Sequence, residues 1–159
     1  MVFGFLTGGA ETPRSRALRQ LSLFSTLSRR ELNVVDGLLH DRQFLKGEII
    51  FDQGEEGQAL HVLVAGRVLI CRQGEPDTGR VREIVAGQVF GEIALLENAP
   101  RALQARAEED CILTSLSRGD LESLIDTHAV IASKVLLQLA RHLARQLVDV
   151  SSFFEPRQT

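Results

Sequence analysis

Apolar positions change their period twice along the chain. Leu32, Val34, Val35, Leu38 and Leu39 recur at helical spacing behind the capping box Ser28-x-x-Glu31, so a helix is predicted over about 29 to 39. Leu23, Phe24 and Leu27 stand where they can staple its entry. Between Asp41 and Leu116 the pattern becomes short β-prone runs at 48–51, 60–64, 68–71, 81–85, 103–107 and 112–116. Gly47, Gly54, Gly57, Gly66, Gly74, Gly79 and Gly87 punctuate the turns. That rhythm is close to the roughly 8–12 residues per strand of an all-β sandwich or barrel. After Leu116 the helical period returns, with a short helix over 120–126 and a longer one over 129–154, stopped at Pro156. The fold class is therefore α+β: an antiparallel, jelly-roll-like β-roll with N-terminal helices and a long C-terminal helix.

Three divisions follow. Residues 1–12 have no period and read as a flexible leader, 13–127 as the helical and β-roll core, and 128–159 as a C-terminal helix and tail. Written as heptads, the long helix places Leu136, Leu143 and Val150 at a, and Ala132, Leu139, Gln146 and Phe153 at d. Only Gln146 is polar among them, which predicts a homodimer seam through 129–154, part of it shared with the chain's own roll. Arg14, Arg16, Arg19, Arg29 and Arg30 make a basic arm with no acid between Pro13 and Arg30. It reads as a solvated helix face, or as a contact for an acidic partner or anionic lipid.

Composition narrows the function. The 159 residues carry 18 Lys+Arg against 21 Asp+Glu, a net charge of −3, which disfavours a protein built mainly on phosphate-backbone contacts. With 44% hydrophobic and 25% charged residues the chain is an ordinary globular one, and no apolar run approaches the roughly 20 residues of a membrane span. Cys71 and Cys111 stand apart, so neither a disulfide scaffold nor a zinc site is expected, and a cytoplasmic setting follows. His40, His61, His128 and His142 share no metal-ligand spacing and read as surface or core histidines; no metal or cofactor is expected. No nucleophile elbow, P-loop or paired catalytic carboxylate appears, so an enzyme is not expected.

One segment carries candidate chemistry: Phe90-Gly91-Glu92-Ile93-Ala94-Leu95-Leu96-Glu97-Asn98-Ala99-Pro100-Arg101-Ala102. A glycine followed by a helix start presents backbone N–H groups at a positive dipole end, which suits an anion. Arg101 can close over that anion with a bidentate guanidinium–phosphate contact. Glu92 at the same helix start can accept bonds from sugar hydroxyls. The pair fits a compact sugar phosphate. A plainer reading also holds, with Glu92 a cap and Arg101 its salt-bridge partner.

With its surroundings the segment resembles the phosphate-binding cassette of cyclic-nucleotide-binding domains, shared by catabolite-activator-type regulators, cyclic-nucleotide-gated channels and cyclic-nucleotide-dependent kinases. The resemblance runs from about Leu21 to Val150 and takes in Gln53-Gly54-Glu55-Glu56-Gly57, Gly47, Gly66, Phe90-Gly91-Glu92, Ala94-Leu95-Leu96, Pro100-Arg101 and Ala107. It implies a short cassette helix. It assigns Glu92 to the ribose 2′-hydroxyl, Arg101 to the cyclic phosphate, and backbone amides at Gly91 and Ala102 to the rest of the cradle, with Ile93, Ala94 and Leu103 beside them. Thr or Ser after the arginine favours guanine in the family, so Ala102 leans towards cAMP over cGMP. A gap-free run from Arg101 puts Gln146 at the base-contacting position of the activator-type regulators, where its amide can donate to adenine N7 and accept from N6. As a lone polar d residue, Gln146 equally suits setting coiled-coil register. Leu147 follows where those regulators carry a polar residue reaching the partner subunit's ligand, so that contact is not expected. Leu103 and Gln104 depart from the family pattern; Leu103 is expected to crowd the pocket and Gln104 to bear on which base or second phosphate enters.

No recognition helix follows the long helix before the sequence ends, so DNA reading is not expected. Two functions stand. One is a cyclic-nucleotide receptor that signals to a protein partner through its C-terminal helix. The other is a ligand-independent dimeric scaffold with a vestigial pocket.

Overall fold

The computed structural model describes residues 13–152. The predicted leader, Phe153 and Pro156 lie outside them. The chain runs α1 (Pro13–Gln20), a one-turn 3-10 helix (Ser22–Phe24) and α2 (Arg29–Asp36), then β1 (His40–Phe44), β2 (Ile49–Phe51), β3 (Ala59–Ala65), β4 (Arg67–Cys71), β5 (Arg80–Val85) and β6 (Val89–Phe90). There follow α3 (Ile93–Leu96), β7 (Gln104–Ala107), β8 (Cys111–Ser117), α4 (Arg118–Thr127) and α5 (Ala129–Ser152). The strands form two four-stranded antiparallel sheets, ordered β1-β8-β3-β6 and β2-β7-β4-β5. This is the β-roll with flanking helices that the sequence pattern predicts.

Both clauses of the capping box are present. Glu31 N–H donates to the Ser28 hydroxyl and Ser28 N–H donates to the Glu31 carboxylate, at 3.3 and 2.7 Å. Leu27 and Leu32 occupy the two staple positions and are buried in the same core. The helix ends at Asp36 rather than 39. Leu38 and Leu39 donate back to Val35 and Asp36 through tightened turns, and so stay packed on the core while the backbone swings into β1. β1 itself was not anticipated. Its residues His40 to Gln43 are exposed and polar, so no alternation marks them, and the strand exists by pairing with β8.

Two cores result. One packs α1, α2, α4 and α5 on the outer face of the first sheet around Phe24, Leu32, Leu60, Leu116 and Leu124. The other fills the roll around Phe51, Leu63, Ile84, Phe90 and Leu113. Cys71 and Cys111 are free and buried in the roll, and burial pushes both thiols up from their ordinary range.

The long helix uses its heptad stripe differently from a free seam. Ala132 and Leu139 at d, with Ile131 and Val135, are buried in the chain's own helical core. Lys134 Nζ adds a fork to both Glu31 oxygens at 2.8 and 2.9 Å, tying α5 to the cap of α2. The basic arm is likewise turned inward at Arg14, whose guanidinium bonds Asp36 and Asp41. No helix among the described residues is long and apolar enough to cross a membrane.

Candidate functional site

The sharp turn between β6 and α3 places Gly91 at φ +74°, where a side chain is strained. A Cβ there would lie 2.7 Å from Arg101 Nη1. At Gly57, ahead of β3, a Cβ would lie 2.2 Å from that of Ala94 and 2.9 Å from Arg101 Nε. These two glycines vacate the berth in which the Arg101 guanidinium lies.

Arg101 reaches that berth from the segment between α3 and β7. Its N–H donates to Glu55 O and its own carbonyl accepts from Gly54 N–H, both at 2.8 Å, which sews the segment to the 53–57 turn. Nη1 donates to Gly91 O at 2.9 Å and Nη2 to Ala59 O at 2.8 Å. The guanidinium lies 4.0 Å above the Phe51 ring, and Phe51, His61 and Phe90 pack ring on ring beneath it. His61 donates to or accepts from Ser115 Oγ at 2.7 Å. Burial, then the Arg101 and Arg42 charges, push His61 down to about 3, so a neutral ring underlies the cation. Arg101 is itself only 9% exposed, and burial lowers its pKa against the opposing pull of Glu55 and Glu92.

Glu92, 5% exposed, ends the turn in helical geometry without capping α3 through its side chain. Its carboxylate instead meets α5: His142 Nε2 lies 3.3 Å from Oε1, and Gln146 also bonds to it. Burial pushes the carboxyl up, but bonds from His142, from its own backbone amide and from Gln146 outweigh it and leave the pKa below the ordinary range. The plainer reading of the pair as cap and salt-bridge partner thus does not describe it; the guanidinium bonds carbonyls and the carboxylate bonds α5.

Gly91, Glu92, Ile93, Ala94, Arg101, Ala102 and Leu103 all line one cavity of about 300 Å³ between the cassette and the open face of β4 and β5. Gln146 is not in that lining but stands behind Glu92, 2.7 Å from His142 Nε2. Leu103 forms part of the cavity wall. Gln104 corrects the expectation set for it: its side chain turns into the roll, where Nε2 donates to Asp52 at 2.9 Å and Oε1 accepts from the Cys71 thiol. Successive residues on an extended chain face opposite ways, so Leu103 and Gln104 do not share the pocket.

Two residues of the site were missed. His142 reads from the sequence as a surface or core histidine; its place four residues before Gln146 on one helix face is the signal that points further. Arg118, opening α4, had no signal. Its guanidinium bonds Asn98 Oδ1 and the carbonyls of Gly57, Ala94 and Glu97, so it fastens the far end of the cassette to the helix leading into α5. Among the described residues no cluster of His, Cys, Asp and Glu could hold a metal ion.

The profile of the cyclic nucleotide-binding domain matches residues 41–128. The chain belongs to the cyclic nucleotide-binding domain family. A cyclic AMP receptor protein of Thermus thermophilus is 33% identical over 138 residues, 85% of this chain and 64% of its own. A cAMP-dependent protein kinase regulatory subunit of Dictyostelium discoideum is 28% identical, over 89% of this chain and 46% of its own. The chain thus spans less than two thirds of either relative. Among solved structures, a cyclic nucleotide-binding domain from Methylobacillus flagellatus superposes with TM-score 0.76 at 20% identity, covering 91% of this chain and 82% of that one, a likeness of fold. The Thermus thermophilus catabolite activator protein superposes with TM-score 0.68 at 29% identity, covering 83% and 62%. As a cyclic nucleotide-binding domain, the chain is a regulatory ligand-binding module in class.

Proposed function

We propose that the chain is a cytoplasmic cyclic-nucleotide receptor, favouring cAMP over cGMP, that passes ligand occupancy to a protein partner through α5. The observation that carries this is Arg101: a buried guanidinium whose contacts are carbonyls and an aromatic face, at the wall of a cavity that also holds the Glu92 carboxylate. A charge so placed is stabilised by an anion. A cyclic phosphate on Arg101, with the opening amides of α3 beside it, sets the ribose hydroxyl towards Glu92. Ala102 offers no hydroxyl to a guanine, which supports cAMP. Gln146, held at the back of Glu92, is the base reader only if α5 shifts; its present contacts are His142 and the Glu92 carboxylate. The response is a population shift: nucleotide favours whichever α5 arrangement leaves Glu92 accessible.

Dimerisation belongs to the same reading. Leu147, Val148 and Val150 leave the end of α5 apolar and exposed, and Leu143 lies beside them, so the seam is confined to this half of the helix. Sedimentation of Leu143→Asp as a monomer against a wild-type dimer checks it.

The test of function is a calorimetric titration with cAMP, cGMP and a cyclic dinucleotide, since the chain has no Trp or Tyr to report by fluorescence. Micromolar binding needs about 8 kcal/mol. Each charge-assisted bond to phosphate supplies roughly 1.5–3 kcal/mol, so Arg101→Leu is expected to weaken cAMP at least about 100-fold. Unchanged affinity in a folded Arg101→Leu overturns the assignment. Silence towards all three nucleotides from a folded wild-type dimer leaves the scaffold as the function.

A further inference from the structure

His142 Nε2 has two partners that make opposite demands on it. It lies 3.3 Å from Glu92 Oε1, a carboxylate that can only accept, and 2.7 Å from Gln146 Nε2, an NH2 group that can only donate. A single proton decides between them. In the neutral ring with its proton on Nδ1, Nε2 accepts from Gln146, and from α5 Glu92 keeps only the Gln146 amide; protonation adds a second proton at Nε2, which then donates to Glu92. We propose that His142 is a proton-operated latch on the sugar-binding carboxylate, so that protonation closes α5 over Glu92 and opposes nucleotide entry. This rests on the reading of Glu92 as the acceptor of a ribose hydroxyl.

The sign follows from competition. Imidazolium and ribose hydroxyl contend for the same carboxylate, so nucleotide affinity falls as pH drops and rises as His142 loses its proton. By reciprocity, nucleotide binding releases protons.

The surrounding groups allow it. Glu92, from the β6–α3 turn, faces the ring and is held below the ordinary carboxylate range. Arg101 and β5's Arg82 are the other charged side chains lining the pocket, and Glu55 acts on Arg101 from the 53–57 turn. On α5, Arg141, Arg145 and Asp149 are exposed. His61, beneath Arg101, is held neutral down to about 3 and so does not titrate near neutral pH while folded.

The experiment is calorimetry of the full chain with cAMP at pH 5.5 and pH 8.0, for wild type and His142→Gln. Coupling of this kind usually amounts to about 5–150-fold, and we expect wild type to bind about tenfold more tightly at pH 8.0, with the slope lost in His142→Gln. A flat wild type, or a slope kept by His142→Gln, overturns the latch. If neither protein binds cAMP at any pH, the receptor reading has failed and the latch is judged on the unliganded chain. There the Gln146 side-chain amide resonance, assigned by its loss in Gln146→Ala, is expected to move between pH 8.0 and 5.5 in wild type but not in His142→Gln. A resonance that stays still in wild type overturns the latch by itself.

Discussion

Ile131, Ala132, Val135 and Leu139 turn the first half of α5 into the helical core, whereas Leu147, Val148 and Val150 leave the second half on the surface. The first half is also forked to the cap of α2 through Lys134 and Glu31. The second meets the rest of the chain at the cassette, through His142 and Gln146 against one carboxylate and through Val150 at the edge of the cavity. One helix thus carries an anchor of apolar packing and an arm held by polar bonds. Packing is lost only by unfolding; a hydrogen bond to a carboxylate is exchangeable for another donor. On the proposed function, a ligand that supplies such a donor would act on the arm and not on the anchor.

Truncation sharpens that contrast most strongly. Leu139→Ala, at a position 1% exposed, should cost about 2–5 kcal/mol in urea unfolding followed by circular dichroism. A loss under 1 kcal/mol would mean that the first half is not an anchor. Acid acts next, and on the roll beneath the cassette rather than on the anchor. His61 has a folded pKa of about 3, below its unfolded value of roughly 6.5, so its neutral burial contributes fully above that value and is lost as pH falls towards 3. Between pH 7 and 5 that amounts to about 2 kcal/mol, which His61→Phe should remove from the pH dependence of unfolding. Equal slopes in the two proteins break the assignment. Ser28→Ala removes the cap behind the Lys134 fork and should cost about 1 kcal/mol, read in the same unfolding experiment. Smallest is Leu147→Ala on the arm, 71% exposed, expected within about 0.5 kcal/mol of wild type in monomer stability.

How much of this was legible in the sequence depended on whether a residue's partner was near in the chain or far. Ser28 and Glu31 announce their cap three residues apart, and Gly91, Glu92 and Arg101 form one local segment. The alternation of the roll interior marked most strands, while β1, polar on both faces, had no pattern of its own and is specified by its partner β8. The heptad stripe on α5 was legible as apolar, but periodicity cannot say whether such a stripe meets another chain or its own domain. Ala132 and Leu139 meet their own. His142 and Arg118 act on groups 50 and 24 positions away, Glu92 and Ala94, and only the fold brings them together. A lone histidine or arginine on a helix announces no partner at such a range.

The burial of Cys71 and Cys111 bears on how α5 can be watched. Both native thiols are shielded and disinclined to ionise, so maleimide and iodoacetamide reagents, which attack the thiolate, react with them slowly. A cysteine placed at Val148, which is exposed, would therefore take a dye selectively without removing either native one. The chain then becomes its own optical reporter, and a change in the fluorophore's surroundings on adding nucleotide is the signal that the proposed release of the arm would give.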